Sequence, residues 1–407
     1  MASSCILALC RPHTHALSSR CCASALRTPL KAPAHSALNL AVSSARHFSS
    51  TPRAASTPAP PSPLTYGISA AYCAKRSSTI LTQPFDPSAR PYTSTQAHKL
   101  PLRTRRKTRP ASGQDAFFVA TAPGARALAL GVVDGVGGWE NEGVDPADFA
   151  HSMCEHMASA AERFPEGFEP PPRTLAPRAL METAYEKVLA DREIAAGGST
   201  ACVAVIDSAG TMDAANLGDS GFIHLAPFRI RYASPPQTHQ FNTPFQLSKM
   251  SARQTMQAHI FGGKPLLDQP SDAALTHHTL SHGDVVLFAS DGVWDNLAPE
   301  DLLRLVSRIM LRADGWVIVA DEAGIGPALG AGKEGAGVVQ KDGGITKLAR
   351  QIALTVATEA KKASLSERDG PFAREVRRVH PQWGYTGGKE DDICVVVAVA
   401  GMGEGGV

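Results

Sequence analysis

Four apolar runs in this sequence each meet a carboxylate at one end. Asp115 begins "DAFFVA", Asp134 ends "LGVVDG", Asp291 ends "VVLFASDG", and Asp391 with Asp392 begins "DDICVVV". A single acid at a strand edge is ordinarily a turn former or a helix cap. Four in that position, two of them followed directly by glycine, point to a shared site. Carboxylates gathered within a few ångströms repel, so one protonates unless a cation neutralises them. The donors are all oxygen, with no Cys or His at matching positions, which favours a pair of Mg²⁺ or Mn²⁺ ions over Zn²⁺. Gly135 is expected to turn its carbonyl toward a metal that Asp134 bridges, where a Cβ would crowd the site. A binuclear centre of hard metals activates a water and clamps a phosphoryl oxygen for in-line displacement.

Strands must carry these acids. "DAFFVA" and "ALALGVV" flank the turn "TAPGAR" and read as a hairpin. A helix is expected over "DPADFAHSMCEHMASAAERF". Asp145 caps it, Pro146 opens its first turn, and Phe149, Met153, Met157, Ala160 and Phe164 recur at helical spacing. A second helix falls near 178–194. "STACVAVID", "TMDAANL", "GFIHLA" and "FRIRYA" read as antiparallel hairpins joined through Ser-Ala-Gly and Gly-Asp-Ser-Gly turns. "GDVVLFAS" is a buried strand, and a helix begins at Pro299. Residues 320–344 are rich in Gly and Ala and read as a surface insertion. "ITKLARQIALTVATEAKKA" is a helix with its stripe at Leu348, Ile352, Leu354 and Val356, and "DDICVVVAVA" closes the chain. The pattern predicts two packed sheets with helices outside.

The rest of the chain bounds the class. Its 407 residues carry 40 Lys and Arg against 38 Asp and Glu, a net charge of +2 that argues for neither nucleic acid nor an anionic membrane. No acid occurs before Asp86, and the Arg- and Ser-rich first fifty residues have the composition of an organellar import peptide, with "RHFSST" as a processing site. No apolar run approaches the ~18 residues of a membrane span. Cys5, Cys10, Cys21 and Cys22 lie in the removable segment. Cys73, Cys154, Cys202 and Cys394 show no C-x-x-C spacing and read as small hydrophobes in a reducing compartment. The expected organisation is a transit peptide at 1–50, a Pro/Ser-rich linker at 51–98 and a catalytic domain at 99–402. The basic run "RTRRKTRP" reads as a solvated charge run.

The ordered set "GQDAFF", "VVDGVGG", "GGSTACVAVI", "NLGDSGFI", "LFASDGVWDNL" and "KEDDICVVV" resembles the metal-dependent (type 2C) protein serine/threonine phosphatases, over residues 114–400. "DGVGGW", "GVDP" and "FNTPFQLS" are similar to its mitochondrial branch. The resemblance implies an α+β fold, a four-layer α-β-β-α sandwich with two central antiparallel sheets. By motif, Asp134 corresponds to the acid bridging two metals, Gly135 to a carbonyl ligand, and Asp291 and Asp391 to the other ligands of one metal. Asp115 corresponds to the acid that holds the second metal through water. Asp219, with Asp295, corresponds to a third, weaker metal position; Asp392 falls where many relatives have Asn and is expected to stand behind the ligands.

Several positions depart from the pattern. Val136 stands where many relatives have a His that serves as general acid. The proton is then expected from a metal-held water, or from His151, His156 or His239. The phosphate-binding Arg is displaced, and Arg109 is the nearest candidate, with Lys107 and Arg106 behind it. Gln114 also replaces an acid. The resemblance implies a monomeric phosphatase with two Mg²⁺ or Mn²⁺ ions, acting on phosphoserine and phosphothreonine of mitochondrial matrix proteins. The branch's links to coenzyme Q synthesis suggest a metabolic substrate. The missing His and Gln114 favour a pseudoenzyme serving as a binding module. Against that, the acid positions are intact. A nucleic-acid binder built on "RTRRKTRP" lacks interleaved aromatics.

Overall fold

The computed structural model describes residues 63–85, 100–166, 174–261, 267–329 and 343–403, all within the unit Ala59–Val407. The expected transit peptide lies outside the described residues. The chain begins with β1 (Leu64–Cys73), β2 (Leu81–Pro84), α1 (Leu102–Thr108), β3 (Ala116–Ala122) and β4 (Ala127–Val133). Two helices follow, α2 (Pro146–Glu162) and α3 (Pro177–Ala190). Next come β5 (Gly197–Ser199), β6 (Ala201–Asp207), β7 (Thr211–Leu217), β8 (Gly221–Ala226) and β9 (Arg229–Ala233). Short strands β10 (Thr238–Gln240), β11 (Thr243–Pro244) and β12 (Leu247–Lys249) lead to α4 (Ala252–Phe261). The remainder is β13 (Ala274–Thr279), β14 (Val285–Ala289), α5 (Asp291–Trp294), α6 (Pro299–Arg312), β15 (Trp316–Val319), β16 (Glu322–Ile325), α7 (Gly344–Ser364), α8 (Pro371–Val379) and β17 (Ile393–Met402).

Two antiparallel sheets result, one ordered β2-β1-β17-β14-β8-β9 and the other β13-β7-β6-β4-β3. Alternation along each strand sends one set of side chains between the sheets and the other outward. Tyr66, Ile68, Phe117, Leu130, Phe222, Phe288 and Val396 fill the middle layer. The outward face of the five-stranded sheet buries Phe118, Ala129 and Val203 against Phe149, Met153, Met157 and Leu180 of α2 and α3. The six-stranded sheet packs Leu287, Val395 and Val397 against Leu302, Val306, Ile352 and Val356 of α6 and α7. This is the expected four-layer sandwich. In α2 the Asp145 carboxylate accepts from Ala147 N (3.1 Å) and Pro146 follows it, as the capping pattern predicts.

Several expectations are corrected. The span read as a linker contains β1, ten consecutive buried residues paired along their whole length with β17 from Leu64↔Met402 to Cys73↔Ile393. The sheet domain therefore starts at Leu64, not at 99. The Gly-Asp-Ser-Gly turn closes no hairpin, because β7 and β8 lie in different sheets and residues 218–220 cross between them. The basic run is α1, with Arg105 buried and ion-paired to Asp191 (2.8 Å). The start of the Gly/Ala-rich stretch belongs to the β15–β16 hairpin, and Leu329 is buried in the core; residues 330–342 lie outside the described residues. On α7, Leu354 faces solvent, while Leu348, Ile352 and Val356 are buried.

Candidate metal centre

Antiparallel register brings the acids to one end of both sheets. Ala116 pairs with Val133, so Asp115 and Asp134, one residue beyond each, sit at the same edge. Ala289 pairs with both Val395 and Gly221. Asp291, Asp391 and Asp219 lie just past those three strand ends. Ser290 joins the two groups, since its Oγ donates to Asp115 Oδ2 (2.6 Å) and accepts from Cys394 N (3.0 Å). A cavity of about 960 Å³ opens there, lined by Asp134, Gly135, Asp219, Asp291, Asp391 and Asp392, among others.

Asp115 is buried behind the cavity wall, and its Oδ1 has no partner among the described residues. A buried carboxylate oxygen without a donor is costly, and a cation or a water held by one would satisfy it. Asp392 takes Lys75 N (2.5 Å) and Gln114 N (2.8 Å), so its oxygens are engaged by backbone. Gly113 makes room for it, because a Cβ there would fall 2.0 Å from Asp392 Oδ1. Gly135 is tight for a different reason from the one expected. An added Cβ would press on Gln114 O (2.8 Å) and the Pro146 carbonyl (3.0 Å), which are neighbouring backbone and not the cavity. Gln114 lines the cavity and donates to Glu140 (2.6 Å).

Arg109 reaches the cavity, but its two terminal nitrogens are held by Asp145 (2.8 Å) and Asp148 (3.1 Å). Arg106 is clamped on Asp148 as well. Sequence reasoning missed Lys75 and Arg76. Both line the cavity from the loop after β1, and Arg76 has no carboxylate partner among the described residues. The linker reading hid them. It also missed Lys389, whose Nζ stands among Asp291, Asp295 and Asp391. Among the described residues no histidine lines the cavity. His151 is buried on α2, where burial and then Arg109 push its pKa down to about 3. His156 is buried on the same helix, and His239 pairs with Asp268 (2.9 Å).

Crowded burial sets the protonation of the acids. Burial first, then Asp392 for Asp115 and Asp291 for Asp134, pushes both carboxyls well above their ordinary range. Burial and Asp291 push Asp219 up to about 7. Burial, partly offset by Lys389, pushes Asp295 up to about 8. Asp291 goes down: burial raises it, but Lys389 together with Asp134 and Asp295 more than offsets that. Acids raised in the folded state bind more protons there than in the unfolded chain. Their contribution is therefore complete near pH 4 and lost as pH rises toward about 8. Metal-free protein is expected to melt at progressively lower temperature across that window. Excess Mn²⁺, which takes the place of the protons, should flatten the decline. Melting curves in chelator and in Mn²⁺ at several pH values test this, and a chelated melting temperature that climbs with pH would contradict it.

The chain matches the family described as Protein phosphatase 2C over residues 104–320. It is 37% identical over 211 residues to "Protein phosphatase PTC7 homolog fig" of Drosophila ananassae, covering 52% of this chain and 59% of that protein. The protein of the same name from Drosophila virilis is 33% identical over 70% of this chain and 77% of its own length. "Protein phosphatase 2C homolog 7, mitochondrial" of Saccharomyces cerevisiae is 29% identical over 70% of this chain and 76% of its own length.

Proposed function

The chain belongs to the protein phosphatase 2C family, and from that premise we propose that it hydrolyses phosphoserine and phosphothreonine of mitochondrial matrix proteins, using two Mg²⁺ or Mn²⁺ ions. The observation that carries this reading is the convergence of Asp115, Asp134, Asp219, Asp291 and Asp391 at one end of both sheets, with Asp115 Oδ1 buried and unpartnered among the described residues. Oxygen donors at that density fit hard divalent ions. Asp134 and Asp291 would hold the ions, together with Asp391 and the Gly135 carbonyl. Asp115 would act from behind, oriented by Ser290. When bound, the ions supply an activated water and a clamp for the phosphoryl oxygens. The mitochondrial assignment rests on the acid-free first fifty residues and on the yeast relative's name. Among the described residues no helix is long and apolar enough to cross a membrane.

The phosphoryl group carries negative charge into a cavity rimmed by acids, so it needs a cation of the protein's own. Arg76 is available for that, whereas Arg109 is committed to Asp145 and Asp148. Arg76→Ala is expected to raise KM for a phosphopeptide about tenfold, the worth of one charge-assisted contact, and to leave the melting temperature alone. Arg109→Ala should do the reverse, because it loosens α1 from α2. Steady-state kinetics and melting curves on both variants separate the roles. Phosphate release from a phosphopeptide with and without Mn²⁺ tests the function itself: absent release would favour the pseudoenzyme, and metal-independent release would overturn the two-ion centre.

A further inference from the structure

Lys389 is built into the acid cluster. Its Nζ lies 2.6 Å from Asp291 Oδ2, 2.5 Å from Asp295 Oδ2 and 3.2 Å from Asp391 Oδ2. Its backbone is clamped from both sides: its N–H donates to Asn296 Oδ1 (2.9 Å), and Asn296 Nδ2 donates to its carbonyl (2.8 Å). Asn296 is itself buried and also donates to Gly292 O (2.8 Å) in α5. The ammonium stands 5.1 Å from the centre of the Phe372 ring, whose face favours a cation. A lysine restrained at both backbone and head group is a fixed part of the site.

We propose that the Lys389 ammonium is a permanent tethered cation of the metal centre, occupying the position on Asp295 that a third divalent ion would take and limiting the centre to two. This rests on the two-ion reading above. Lys389 engages Oδ2 of both Asp291 and Asp391, while Asp391 Oδ1 takes Asp392 N (3.1 Å) and Lys75 Nζ (3.5 Å). For Asp295 the engaged Oδ2 is the oxygen at the shortest of the three distances. A dication cannot share that oxygen with an ammonium about 3 Å away without strong repulsion. The third, weaker ion expected at Asp219 and Asp295 is therefore replaced by a side chain. The tethered charge also keeps Asp291 and Asp391 together before any metal arrives.

Manganese bound per chain, measured by equilibrium dialysis and elemental analysis, tests this on the full-length protein. Wild type and Lys389→Arg should hold two ions at saturation. Lys389→Gln, which removes the charge and keeps most of the length, should hold a third at higher free Mn²⁺. Asp295→Asn should still hold two, since Asp295 serves Lys389 and not an ion. A third ion in wild type, or only two in folded Lys389→Gln, would overturn the tethered cation while leaving the two-ion centre standing. Fewer than two ions in wild type would overturn that centre and this proposal with it. Circular dichroism checks the fold of each variant. Should Lys389→Gln fail to fold, Asp295→Asn decides: loss of an ion there would make Asp295 a metal ligand and sink the idea.

Discussion

Replacing Asp134 by asparagine should cut phosphopeptide turnover by on the order of a hundredfold or more, the size of effect that follows loss of a central electrostatic element. Asp134 ends β4 at the cavity, with Asp291, Asp115, Asp219 and Asp391 as its charged neighbours. Burial and those neighbours already disfavour its charge, so the carboxylate is stabilised only when cations are present. The substitution keeps the shape of the side chain. It also keeps the backbone bonds that pin the position, Asp134 N to Thr200 Oγ1 (3.2 Å) and Thr200 N to Asp134 O (2.9 Å). Metal-free Asp134→Asn should therefore melt at the wild-type temperature or above it, because a neutral amide avoids the disfavoured buried charge. The rise in melting temperature on adding Mn²⁺ should shrink, because a ligand stabilises only through its affinity for the folded state. Turnover and paired melts with and without Mn²⁺ check both halves. A variant that keeps near-normal turnover and the full metal-induced shift would remove Asp134 from the centre.

Gly67→Ala should be among the most destabilising single-methyl changes in the domain, costing about 3 kcal/mol or more. Gly67 lies in β1, opposite Val399 of β17, between Tyr66 and Ile68, which point into the layer between the sheets. It faces the first turn of α7. A Cβ there would fall 2.4 Å from Ile345 C and 2.5 Å from Ile345 O and Thr346 N. Those are backbone atoms at a helix start, so no side chain can swing away to make room. The helix must lift, which opens the buried contacts that Ile345, Ala349 and Ile352 make on this sheet. Thermal unfolding of the Mn²⁺-loaded protein reads the effect directly. A wild-type melting temperature would mean that residues 64–73 are not seated under α7, and would restore the linker reading.

How much of this was legible in advance can be judged from particular residues. The helix cap at Asp145 depends on atoms two residues apart, and it came out as the pattern of types predicts. The acids at strand ends were legible because a strand's end is a local event: an apolar run stops, and a carboxylate meets glycine or solvent. Even the convergence of Asp115 with Asp134 was within reach, since a hairpin with a short turn fixes which residues face each other.

β1 was not legible. "LTYGISAAYC" is short of large β-branched residues and is preceded by a Pro- and Ser-rich stretch, so nothing local marks it as a central strand. What makes it one is β17, more than three hundred residues later, together with a helix that needs Gly67 in order to approach. Lys75 and Arg76 were lost with it. Residues 218–220 were misread for a related reason, since a Gly-Asp-Ser turn looks the same whether the next strand pairs back or crosses to a second sheet. Lys389 meets Asp295 and Asp291 across 94 and 98 residues of chain. The sequence by itself determined which residue types were available for chemistry and which ends of which strands they occupied, because those follow from a few neighbouring side chains. The tertiary structure alone decided which cations stand beside those acids, which arginine is left without a carboxylate partner and where the domain begins, because each depends on strand pairing and helix docking between segments that carry no local mark of one another.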